Sequence, residues 1–134
     1  MSRTRHHRDL IAWQKAMDLA RMIYAQPEDF PNSETFGLRM QLRRSAVGVA
    51  THIADGRGRL TDAENRKSLS VARGSLSELQ TELELAGSLR FINEELTNEL
   101  IELATEVAKL INGLIAYSRK NLANLLTRDR AQRG

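Results

Sequence analysis

Residues 61–88, TDAENRKSLSVARGSLSELQTELELAGS, read as one helix from end to end. Thr61 stands before Asp62, Ala63 and Glu64, a capping-box pattern in which the Thr oxygen and the Glu carboxylate satisfy the first free amide groups. Leu69, Ala72, Leu76, Leu79, Leu83 and Ala86 then recur at alternating steps of three and four, the spacing that lines up one helix face. Gly87-Ser88 supplies the stop. A helix of this length with a single apolar seam must pack that seam against other helices. The question for the rest of the chain is therefore how many partners it supplies.

The downstream stretch supplies one partner. Asn93 with Glu94 and Glu95 opens a fourth helix, with negative charge where the helix dipole favours it. Its first seam is Leu96, Leu100, Leu103, Val107, Leu110 and Leu114, and a second runs beside it through Ile101, Ala104, Ala108, Ile111 and Ile115. Upstream, Leu10, Trp13, Met17, Ala20 and Tyr24 mark a first helix over about Asp9 to Gln26, which Pro27 and Pro31 stop. Leu38, Leu42, Val49 and Ile53 mark a second from about Glu34 to Arg57, closed by Gly56 and Gly58. Strand patterns are missing, and aromatic residues make up only 4%. Short connections favour antiparallel neighbours. The expected fold is all-α, an antiparallel up-down-up-down four-helix bundle. The expected division is a basic N-terminal tail over residues 1–8, the bundle over 9–120 and a basic C-terminal tail over 121–134.

The chain has 134 residues, enough for one domain and too few for two of ordinary size. Its longest uncharged stretch, Ser45 to Ala54, is about half of what a bilayer span needs. No apolar run follows the basic N-terminus, so no signal peptide is expected. Cysteine is absent, which removes disulfides, thiol catalysis and zinc–thiolate sites. A soluble cytoplasmic protein is the expectation.

Charge is uneven. Residues 1–59 hold 10 basic and 6 acidic side chains, residues 60–118 hold 5 and 10, and residues 119–134 hold 5 and 1. Most of the basic residues are Arg, whose planar fork suits phosphate or carboxylate oxygens. On the second helix Arg39, Arg43, Val47, Ala50, Ala54 and Arg57 share one face by helical steps, and Arg44 and Arg59 lie close by in sequence. Two readings stay open. In one, Arg39, Arg43, Arg44, Arg57 and Arg59 contact RNA or DNA phosphates. In the other, the protein is an interaction scaffold, and Arg43 and Arg44 pair with Glu78, Glu82 or the acids of a neighbouring subunit. Trp13 and Tyr24 fall at helical spacing; the core is the expected place for both, although exposed aromatics can serve as base-stacking platforms.

Apolar surface on the fourth helix exceeds the roughly 100° stripe that a bundle core uses. Ile101, Ala104, Ala108, Ile111 and Ile115 are therefore the expected interface between copies of the chain. The alternative cover is a fold-back of the stretch around Leu122, Leu125 and Leu126. Enzymatic signals are missing. His52 and Asp55 stand three apart on one turn, but no Glu-x-x-His accompanies them, so no metal is expected. Ser45, Ser75 and Ser77 lack a nucleophile motif, and Gly56-Arg57-Gly58-Arg59 is too short for a phosphate loop. No cofactor and no small-molecule substrate are expected.

Several stretches resemble one family: Leu10 to Met17, Phe36-Gly37-Leu38 with Gln41 to Val47, Ile53 to Gly56 with Gly58-Arg59, and Gly74 to Leu79. The resemblance is to the bacterial four-helix bundles encoded by intervening sequences inside large-subunit ribosomal RNA genes. It covers about residues 9–118 and implies a protomer that assembles as a homopentamer, without enzymatic activity. More remotely the chain is similar to the accessory subunit of diversity-generating retroelements, a basic pentamer that binds nucleic acid. The chain departs from the family pattern at Gly48, His52 and Asp55, where Ser, Asn and Glu are expected.

Overall fold

The structure is a computed structural model that describes residues 6–25, 31, 33 and 37–133, with side chains as far as residue 120. Four helices hold most of the described residues: α1 (Ile11–Tyr24), α2 (Leu38–Arg57), α3 (Asp62–Ser88) and α4 (Glu94–Arg133). No strand occurs among the described residues. A single 3-10 turn, His7–Asp9, leads into α1, so α1 opens two residues later than the expected Asp9. Helix α2 opens at Leu38 behind Gly37, whose ψ of −120° is not helical. The expected start at Glu34 lies outside the described residues, as do Gln26 and Pro27 at the expected end of the first helix.

Local chemistry explains where α3 and α4 begin. The Glu64 amide donates to Thr61 Oγ1 at 3.1 Å, and the Leu96 amide donates to Asn93 Oδ1 at 2.8 Å. Both are N-cap bonds that satisfy donors the helix itself cannot. Helix α3 ends in a Schellman turn: the Phe91 amide reaches Ala86 O at 2.9 Å and the Arg90 amide reaches Gly87 O at 3.0 Å. Arg90 takes the left-handed conformation there, with φ 62°.

Helix α2 packs on α3, α3 on α4, and α1 on both α2 and α4. Each helix thus has two neighbours around one shared core. Leu69, Ala72, Leu76, Leu79, Leu83 and Ala86 of α3 are all buried, as are Leu38, Leu42, Val49 and Ile53 of α2. Burying each large side chain of this kind contributes about 1.5–3 kcal/mol. Gly56 of α2 abuts Asn65 and Ser68 of α3, and Gly48 abuts Ser75. Between α3 and α4, Gly87 abuts Thr97, Arg73 bonds Asn112 at 3.2 Å, and Arg66 bonds Ser118 at 3.2 Å.

Two seams differ from expectation. In α1 the inward residues are Ala12, Ala16, Leu19, Ala20 and Ile23. Small alanines let α1 approach its neighbours, while Leu10, Trp13 and Met17 flank the core and Tyr24 stays 49% exposed. In α4 the buried residues are Thr97, Leu100, Ala104, Val107, Ile111, Ile115 and Ser118. The two seams expected there form one broad inner face. Ala104, Ile111 and Ile115, expected between copies of the chain, are buried within the protomer. Ile101 and Ala108 are half-buried against the same core. The reason is geometric: α4 sits between α3 and α1 and must present apolar side chains to both.

Helix α4 is also longer than expected. Its 40 residues span about 60 Å at 1.5 Å per residue. The helical backbone runs through Arg133, past the expected boundary at residue 120, because no proline interrupts it. The side chains of Leu122, Leu125 and Leu126 lie outside the described residues, so the expected fold-back rests on nothing described.

Candidate nucleic-acid interface

Helix geometry sorts the five candidate arginines into two groups. Arg39, Arg43 and Arg57 lie within about 40° of one another around α2, from 100° of turn per residue. Arg44 lies a further 100° round. Arg39, Arg43 and Arg57 thus share the α1-facing edge of α2, and Arg44 lines the groove between α2 and α3. Arg59 stands beyond the end of α2 and lines the continuation of that groove.

Each arginine meets different chemistry. Arg43 lies over the ring of Tyr24, 4.7 Å from its centroid, and its Nη2 reaches Tyr24 O at 3.4 Å. Its Nε is buried without an acceptor, and so is that of Arg57. Arg59 is committed: its Nε and Nη2 donate to Asp55 Oδ2 at 3.3 and 3.1 Å. Arg43, Arg44 and Arg57 form no ion pair with any described residue. The expected pairing of Arg43 and Arg44 with Glu78 or Glu82 inside one protomer is thus not made, although Arg44, Glu78 and Glu82 line the same groove.

That groove holds about 560 Å³ and is bounded by Gln41, Arg44, Ser45, Gly48 and His52 from α2 and by Ser75, Glu78 and Glu82 from α3. The small residues Ser45, Gly48 and Ser75 leave its floor open. Burial raises the pKa of Glu82 against a hydrogen bond from Ser45, and the neighbouring Glu78 charge adds to the rise. Glu82 Oε1 itself has no hydrogen-bond partner. A second hollow of about 260 Å³ continues past His52 to Asp55, Arg59, Lys67 and Ser68. There Ser68 Oγ donates to Asp55 Oδ2 at 2.7 Å. That bond and the Arg59 contact hold the Asp55 carboxyl below the usual carboxylate range.

His52 and Asp55 make no hydrogen bond to each other, and His52 faces the groove. Among the described residues no group of three or more His, Asp or Glu side chains converges as a metal site would require. None of the described helices is long and apolar enough to cross a membrane. What α2 presents is a row of guanidiniums at one edge and a mixed-charge groove at the other. Sequence reasoning missed the pairing of Tyr24 with Arg43, because it joins residues 19 apart on two helices. The one available signal was a tyrosine in the last turn before a proline pair.

Comparison with known proteins places this architecture. The family model described as 23S rRNA-intervening sequence protein matches residues 8–113. Among solved structures, the chain is similar to a protein of unknown function from the S23 ribosomal protein family of Bacteroides thetaiotaomicron VPI-5482. The TM-score is 0.71 at 21% identity, covering 78% of this chain and 98% of that one. This likeness concerns the fold. No curated protein matches.

Proposed function

The chain belongs to the 23S rRNA-intervening sequence protein family, and from that premise we propose a non-enzymatic, homo-oligomeric bundle that binds nucleic-acid backbones through α2. One observation carries this reading: Arg43 and Arg57 share an edge of α2 with Arg39, and neither has a carboxylate partner among the described residues. A guanidinium without a carboxylate is available to a phosphate, and such contacts supply sequence-independent affinity. Neither comparison points to an enzyme family.

The same proposal takes the helices as an antiparallel up-down-up-down bundle. Its support is the order of the contacts: Gly48 meets Ser75 and Gly56 meets Ser68, while Arg66 meets Ser118 and Gly87 meets Thr97. Rising numbers on one helix face falling numbers on the next. The protomers assemble in this account as a ring of five, as the family resemblance implies, in the cytoplasm. A ring repeats a weak basic edge and so raises avidity without new contacts.

Light scattering on the purified chain tests the assembly, and a gel shift against structured RNA at low salt tests the binding. The expected result is a pentamer that shifts RNA, with Arg43→Ala/Arg57→Ala still pentameric but weak in RNA binding. A scaffold held together by inter-subunit ion pairs predicts the reverse, with the double variant falling apart.

A further inference from the structure

We infer that the α1–α2 edge takes unpaired nucleotides, with a base stacked on the half-exposed ring of Tyr24. This rests on the nucleic-acid reading above and narrows it to single strands.

Tyr24 closes α1 with 49% of its surface exposed. Leaving a large aromatic half in water forgoes the burial that usually fixes its place in a core. The ring is nevertheless held. The Arg43 guanidinium sits 4.7 Å from its centroid, and the same guanidinium reaches the Tyr24 carbonyl. An arginine over the ring of a half-exposed tyrosine is a stack that a base can extend.

The surroundings fit the same ligand. Met40 and Val47 are 52% and 45% exposed, and they lie three residues before and four residues after Arg43. All three therefore share one side of α2. Met40 to Val47 covers about 10 Å of helix, roughly three base spacings of about 3.4 Å. Apolar surface of this kind meets base faces, which a duplex hides inside its stack. Stacking of this type is indifferent to sequence, because every base has a flat face.

Fluorescence anisotropy separates the possibilities, using labelled single-stranded RNA and DNA oligonucleotides and the duplex of the same sequence. Wild type is expected to bind either single strand more tightly than the duplex. Tyr24→Leu weakens single-strand binding on the order of tenfold, leaves duplex binding alone and keeps the salt slope. Tyr24→Phe binds as wild type, which shows that the ring and not the hydroxyl matters. Arg43→Ala lowers the salt slope as well. The inference is overturned if Tyr24→Leu binds single strands like wild type, or if the duplex is preferred. If neither strand nor duplex binds at low salt, the nucleic-acid reading itself falls, and this inference with it.

Discussion

Gly87 of α3 and Thr97 of α4 approach so closely that a Cβ on the glycine would stand 2.6 Å from Thr97 Cγ2 and 2.9 Å from its Oγ1. Thr97 cannot easily yield. It is buried, branched at Cβ, and its hydroxyl donates to Asn93 O at 2.8 Å. Gly87→Ala is therefore expected to destabilise the fold by about 1–3 kcal/mol through overpacking. Gly74 is the control: it also lies inside α3, and nothing stands within 4 Å of its missing Cβ. Gly74→Ala should stabilise by about 0.5–1 kcal/mol, the ordinary gain in a helix interior. Thermal melts of the two variants should move in opposite directions.

Arg90 holds a left-handed φ of 62° at the end of α3, where glycine is the usual occupant. A side chain there costs roughly 1–2 kcal/mol. Arg90→Gly recovers part of that cost, less the greater chain freedom of glycine when unfolded. An increase in urea midpoint without a change in slope is the expected result.

Asp55 ties the end of α2 to α3 through Ser68 and carries a lowered pKa. A carboxyl with a depressed folded pKa adds stability that is fully present above its unfolded value, near 3.8, and is lost as pH falls through the folded value. Ser68→Ala removes the largest cause of the depression. The Asp55 titration followed by NMR should then move up toward the ordinary range, and the acid unfolding midpoint should move up with it.

Glu82 behaves with the opposite sign. Its folded pKa lies above the ordinary glutamate value of 4.5, so the folded state holds the proton longer than the unfolded chain does. Stability then falls as pH rises from about the unfolded value through the folded one. Glu82→Gln keeps the shape and removes the charge. The variant is expected to be more stable than wild type at neutral pH, with the difference closing on acidification. A variant that is less stable at every pH contradicts this.

The sequence showed the helices more clearly than their neighbours. The α3 seam from Leu69 to Ala86 and the caps at Thr61 and Asn93 are local, fixed by residues within one turn of each other, and they stand where the spacing puts them. On α4, spacing reports which residues are apolar, not how many helices surround them. Ala104, Ile111 and Ile115 look surplus against one partner and are necessary against two. The arginines show the same boundary. Periodicity placed Arg39, Arg43 and Arg57 on one edge, yet the capture of Arg59 by Asp55 and the stacking of Arg43 on Tyr24 depend on the turn after α2 and on the packing of α1.

Arg43 and Arg57 have no carboxylate partner among the described residues, and the salt dependence of RNA binding shows whether they grip phosphates. Binding constants for wild type, Arg43→Ala and Arg57→Ala against one structured RNA, plotted as logarithms against the logarithm of salt concentration, give slopes that count phosphate contacts. A clearly negative slope is expected for wild type, reduced by about 0.7–0.9 for each arginine removed. A flat line, or no binding at low salt, contradicts it.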